Sequence, residues 1–236
     1  MLSAAGPMFE AAVGIDYMKN IAESFNGSVG HLRIDGPNFD GQLWKILRRK
    51  AKPDDYPDWR KVLSELSRCI TPCDGEIVYA AQTAGLRILP KLRVLRQQGL
   101  RTPVVAAATL GYDPSDAVDD YIDWQIDRAA KAKDLAPLIL CAHDHGYAKW
   151  LAKAIMVGIW VVLIGFCEEM PPALLALRKK GAVILDLEYD LLAFNHRLPH
   201  RVSAEALAAM GIRGGLEDIK RYTDCERELS CVGAGL

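Results

Sequence analysis

"APLILCAHDHGYAKWLAKAIMVGIWVVLIGF", residues 136–166, decides the fold. Two apolar runs, 136–143 and 159–166, enclose a segment of helical spacing, 146–158, that stops at Gly158. The runs are continuous rather than alternating, which marks strands covered on both faces. A strand, a helix and a strand in one sheet form a parallel crossover, and that crossover is right-handed. The most apolar part, 154–167, lies between Lys153 and Glu168. It falls short of the roughly 20 residues a membrane span needs.

The same alternation extends both ways. "HLRID" (31–35) reads as a first strand, "GEIVYAAQ" (75–82) as a second and "TPVVAAATL" (102–110) as a third. "AVILDLE" (182–188) reads as the last. Helical spacing covers 42–51, 59–69, 88–99, 115–133 and 171–181, the last opening on proline and closing on glycine. The expected architecture is α/β: a three-layer, doubly wound sandwich with a mostly parallel central sheet, Rossmann-like in outline. Three regions follow: an N-terminal helical extension (1–30), the α/β domain (31–188) and a C-terminal helical tail (189–236). The tail, with helices in "SAEALAAMG" and "GLEDIKRYTDCEREL", packs on the domain or serves association, a homodimer through its Leu and Ala residues included.

The 236 residues are half hydrophobic, enough for one substantial core, and carry a formal net charge of −1. No global basic field points to nucleic acid, so any polyanion site is local. Six scattered cysteines form no C-x-x-C pair, which favours free thiols in a reducing cytoplasm over a zinc knuckle. No secretory signal is expected in residues 1–20.

Ligands of open parallel sheets bind beyond the carboxyl ends of the strands. Asp35 ends the first strand and Asp144 the fourth, so both acids belong to one rim. Each could instead cap a following helix. For Asp144 the two readings stand level. For Asp35 the sequence Gly36-Pro37-Asn38 reads as a turn rather than a helix start, which favours function. On 115–133, Asp116, Asp119, Asp120, Asp123 and Asp127 share one helix face, while Val118, Ile122 and Ile126 supply the core side. The helix dipole accounts for Asp116 but poorly for Asp123 and Asp127, which could still be ordinary solvated residues, Asp127 most of all. Hard oxygen donors gathered in this way suit Mg²⁺ or Mn²⁺.

"RIDGPNFD", "VDDYIDWQI", "LILCAHDHGYAKWLAKAIMVGIWVVLIG" and "LLALRKKGAVILDL", in this order over residues 31–188, resemble the NYN branch of the PIN-like nucleases. The resemblance implies a PIN-like fold and metal-dependent hydrolysis of RNA, leaving a 5′-phosphate. It makes Asp35 the first metal-binding carboxylate and Asn38 its brace or a contact to the scissile phosphate. Asp119 or Asp120 becomes the helix acid, and Asp144 the first acid of an "SGDxDF"-like segment. The chain departs from that segment at its second acid, where Gly146 stands. Asp123 or a flanking histidine is the candidate substitute.

For the RNA, Lys45, Arg48, Arg49, Lys50 and Lys52 form a basic stretch able to meet phosphates, or else a solvated helix face. Trp44 and Tyr147 could stack on bases, or else belong to the core. Arg33 is expected partly buried beside an acid. Three competing readings remain. "HDH" (143–145) also suits the opening of a metal-dependent amidohydrolase barrel, although such barrels are larger. A nuclease-like fold could bind RNA or a protein without cutting. Phosphoryl transfer through an aspartyl intermediate wants a second acid where Pro37 stands.

Overall fold

The computed structural model describes residues 30–67, 73–81, 89–106, 114–132 and 136–212. The expected N-terminal extension, Cys69, Cys225, Cys231 and the second tail helix lie outside these residues.

Six strands form one sheet in the order β3-β2-β1-β4-β5-β6, and every pairing is parallel. The strands are β1 (Gly30–Asp35), β2 (Cys73–Ala81), β3 (Val104–Ala106), β4 (Leu138–Cys141), β5 (Val161–Gly165) and β6 (Val183–Asp186). The helices are α1 (Gly36–Leu47), α2 (Trp59–Ser67), α3 (Leu89–Gln97), α4 (Pro114–Ala132), α5 (Ala148–Met156), α6 (Pro172–Leu175) and α7 (Ala204–Ala209).

Alternate residues of the buried strands feed two separate cores. Ile139, Cys141, Val162 and Ile164 pack with Phe39, Leu43, Trp59, Val62 and Leu92 of α1, α2 and α3. Leu138, Leu140, Val161 and Leu163 pack with Val118, Ile122, Leu151 and Leu174 of α4, α5 and α6. This is the three-layer sandwich. A sheet with helices on both faces must be apolar on both, which is why β4 and β5 carry no polar alternation.

The chain after β6 folds back onto the sheet. Leu191, Ala193 and Leu198 join the first core, and Ala204 and Leu207 of α7 join the second. Those two side chains are therefore committed within the chain rather than available for association.

One expectation changes at the end of β1. Gly36-Pro37-Asn38 is not a free turn but the first turn of α1, with Pro37 in its opening positions. Gly36 is pressed so close to β2 that a Cβ would lie 2.5 Å from the Tyr79 ring and 2.7 Å from the Val78 carbonyl. α1 then ends at Leu47, and Arg48 leaves it in the left-handed region at φ 53°. The basic residues from Arg48 onward thus lie beyond the helix, not on its face.

Candidate active site at the switch in strand order

Strand order reverses between β1 and β4, and a doubly wound sheet opens a crevice outside the carboxyl ends at such a point. Asp35 ends β1 there. It is 3% exposed, and its Oδ1 accepts the backbone N–H of Asn38 at 3.0 Å. Asp35 is thus the N-cap of α1 as well as a rim carboxylate: the capping role first set aside is present.

Its other oxygen meets Tyr147. The Tyr147 hydroxyl lies 3.0 Å from Asp35 Oδ2 and 2.7 Å from Asp119 Oδ1. Three pieces of the chain converge on that oxygen: the end of β1, the second turn of α4, and the 3₁₀ turn His145–Tyr147 that follows β4. Tyr147 is buried at 1% exposure, so its ring is not available to stack on a base. This corrects its assignment as an RNA contact. The doublet on α4 divides in the same way. Asp119 turns inward to the hydroxyl, whereas Asp120 is exposed.

The electrostatics follow from burial. Desolvation raises Asp35 to about 7; Asp119 and Asp144 push the same way, against the hydrogen bonds from Asn38 and Tyr147. Desolvation also raises Asp119, opposed by Tyr147 and reinforced by Asp144. The Tyr147 phenol is driven upward by burial and by Asp35, so it remains a donor. One hydroxyl proton serves two carboxylates, and only one of them can receive it.

Asp144 stands on the rim. Its Oδ1 accepts the Gly146 N–H at 2.7 Å and caps the 3₁₀ turn, with His145 Nδ1 at 3.5 Å. Gly146 gives the site no side chain. Asp123 is partly buried, with its Oδ1 unpartnered, and desolvation raises it to about 6. Asp127 is paired with Lys131 and Lys153.

Asn38 ties the two halves of the rim together. Its Oδ1 accepts the His143 N–H at 2.8 Å, joining the start of α1 to the end of β4. His143 is buried; its Nε2 accepts the Phe166 N–H at 2.8 Å, and desolvation lowers its pKa to about 4. It is a neutral core histidine. With an open sheet in place of a barrel, the amidohydrolase reading of "HDH" falls away.

The basic stretch is partly engaged. Arg49 grips Asp55 through two bonds of 2.6 and 2.8 Å, and Lys45 pairs with Glu169. Lys50 sits 5.9 Å from the ring centre of Trp44, which is 39% exposed. Arg33 bonds Gln125 and the Leu32 carbonyl.

A second acidic cluster, unforeseen from the sequence, lies beyond β5 and β6. Arg201, whose side chain is 1% exposed, reaches Asp186 at 2.6 Å and Glu188 at 3.1 Å, and pairs with Glu168. Its guanidinium lies 5.0 Å from the ring centres of both Phe166 and Tyr189. The one available signal was Asp186 closing an apolar strand, as Asp35 closes β1.

Among the described residues, no group of three or more His, Cys, Asp or Glu side chains is gathered closely enough to hold a metal ion. Asp35 and Asp119 are turned toward the Tyr147 hydroxyl rather than toward an open point between them; carboxylate oxygens are the donor type that hard divalent cations take.

No family model matches this sequence, and no curated protein does. Among solved structures, a protein of unknown function from Vibrio parahaemolyticus RIMD 2210633 is similar, with a TM-score of 0.54 at 12% identity. The match covers 70% of this chain and 95% of that one. Identity at that level carries the fold alone. Among the described residues, no helix is long and apolar enough to cross a membrane.

Proposed function

We propose that this protein is a metal-dependent ribonuclease of the PIN-like, NYN type, acting on RNA in the reducing cytoplasm. The observation that supports the reading is the meeting of Asp35 and Asp119 on one hydroxyl at the switch in strand order, with Asp144 on the same rim. In this reading Asp35, Asp119 and Asp144 hold Mg²⁺ or Mn²⁺. Bound there, the ion would lower the pKa of a water and neutralise charge on the phosphodiester.

The chain's own residues do the rest. Asn38 fixes the end of β4 against α1, so that Asp144 keeps its distance from Asp35. Burial of Asp35 excludes water from one side of the pair and strengthens every interaction with it. Arg48 and Lys50, at the end of α1, supply the positive charge that meets RNA phosphates.

The test is cleavage of an end-labelled single-stranded RNA in Mn²⁺ and in chelator. Asp35→Asn, Asp119→Asn and Asp144→Asn are expected to abolish product while the proteins melt cooperatively. Full rate in any of the three removes that residue from the chemistry. Full rate in Asp35→Asn ends the proposal.

A second reading has its own support in Gly146 and in the spread of the three carboxylates. A chain of this fold could bind RNA without cutting it. RNA binding in chelator, with no product in Mn²⁺, would select it. Sedimentation of the full chain reads out whether a homodimer forms.

A further inference from the structure

We infer that the carboxyl ends of β5 and β6 form a guanidinium-binding pocket whose built-in ligand is the chain's own Arg201. The inference stands apart from the ribonuclease reading and uses none of its residues.

Backbone donors, not Arg201, aim the acids of this pocket. Asp186 closes β6, and its Oδ1 accepts the N–H groups of Glu188 and Tyr189 at 2.9 and 3.1 Å. Its Oδ2 accepts the Cys167 N–H at 3.0 Å, from the 3₁₀ turn that follows β5. Glu168 belongs to that same turn. Glu188 Oε1 is held by the Leu198 N–H at 3.0 Å. Carboxylates from two strand ends thus converge, on the edge of the sheet where ligands of open α/β folds bind. The rings of Phe166 and Tyr189 complete the walls.

The occupant is matched by shape as well as by charge. Nε and Nη2 of Arg201 both donate to Glu168, the second at 2.8 Å. Nη2 also donates to Asp186 at 2.6 Å, and Nη1 to Glu188 at 3.1 Å. One planar fork therefore serves three carboxylates. A lysine ammonium carries its three donors on a single atom and cannot span both oxygens of Glu168 and two further acids. The guanidinium carbon lies 5.0 Å from each ring centre, within cation–π range. Guanidinium is weakly hydrated and stacks on aromatic faces, so it suits a side chain that is 1% exposed. The backbone adopts an unfavourable turn to deliver it: His200, directly before Arg201, lies in the left-handed region at φ 63°.

A pocket built in this way should accept a guanidinium that is not tethered to the chain. Arg201→Ala empties it, and ethylguanidinium supplies the atoms removed. Thermal melting of the full chain is followed as ethylguanidinium is added at millimolar concentration, with propylammonium at equal ionic strength as the control. The folded-to-unfolded ratio of Arg201→Ala should rise about 10-fold when ethylguanidinium reaches roughly ten times its Kd. Propylammonium should not reproduce the rise, and the native chain should not respond. Arg201→Lys, which keeps the charge, should remain less stable than the native protein. Equal rescue by both cations, rescue of the folded variant by neither, or a lysine variant as stable as the native chain overturns the inference.

If Arg201→Ala cannot be recovered folded, nitrogen-15 resonances of the native guanidinium decide. Separate, slowly exchanging Nη signals for Arg201 support the pocket. Signals averaged as in free arginine refute it.

Discussion

The side-chain oxygen of Asn38 accepts the backbone N–H of His143 at 2.8 Å, across 105 residues of sequence. This bond closes the gap between β1 and β4 at the point where the strand order reverses. Asn38→Ala would leave a buried N–H without a partner and free the end of β4. The expected loss is about 1–3 kcal/mol of stability, read by chemical denaturation. RNA cleavage should fall with it, because Asp144 follows His143 directly.

Asp35 gives the protein a pH-dependent stability of definite sign. Its carboxyl is raised from 3.8 to about 7 by burial. The folded state therefore holds a proton that the unfolded state has released. That contribution is present below about pH 4 and is lost as pH rises through about 7. Asp35→Asn, which cannot ionise, should gain on the native protein as pH rises, by up to roughly 2–4 kcal/mol at pH 8. Parallel melting curves from pH 5 to pH 8, without divalent ions, check this. Curves that stay parallel across the range count against a buried acidic Asp35.

Arg201 has the largest predicted effect on stability. Its side chain, 1% exposed, is the cation shared by Asp186, Glu168 and Glu188. Arg201→Met would leave three acids clustered without it, at a cost of about 3–5 kcal/mol. Denaturant titration at neutral pH measures the loss. Part of the stability should return in acid, where the carboxylates protonate.

Arg48 separates charge from fold. It ends α1 in the left-handed region at φ 53°, a conformation glycine adopts without strain. Arg48→Gly should leave stability unchanged or raise it by up to about 1 kcal/mol. RNA affinity should weaken, and the slope of log affinity against log salt should shrink by about one. Filter binding across a salt series reads both. Arg49→Ala is the contrasting variant: its guanidinium is bound to Asp55, so it should affect the local loop more than RNA.

The layered sheet was legible because β4 and β5 are buried on both faces and their composition records it. The strand ends were legible too, since an acid after an apolar run stands out at Asp35 and at Asp144. Local patterns say little about which side chain fills the space between two such ends. Tyr147 could be read as a core aromatic or as one that stacks on a base, since nothing in its local sequence fixes its burial. Its burial depends on α4, which lies more than a dozen residues upstream. The start of α1 was misread for a similar reason. Gly-Pro-Asn is turn chemistry in isolation and becomes a helix start once Asp35 caps it. The Asp119–Asp120 doublet was ambiguous because helical spacing places both near the same face. A single hydroxyl distinguishes them.

The return of the chain across the sheet has a practical consequence for anyone shortening this protein. A fragment stopping at residue 188, where the last strand and its apolar flank finish, would lack Leu191, Leu198, Arg201 and Leu207. It would bare two greasy hollows and strand Asp186 without its cation. The smallest piece worth expressing therefore runs past α7, and a clipped version that aggregates would say nothing about whether the intact chain cuts RNA.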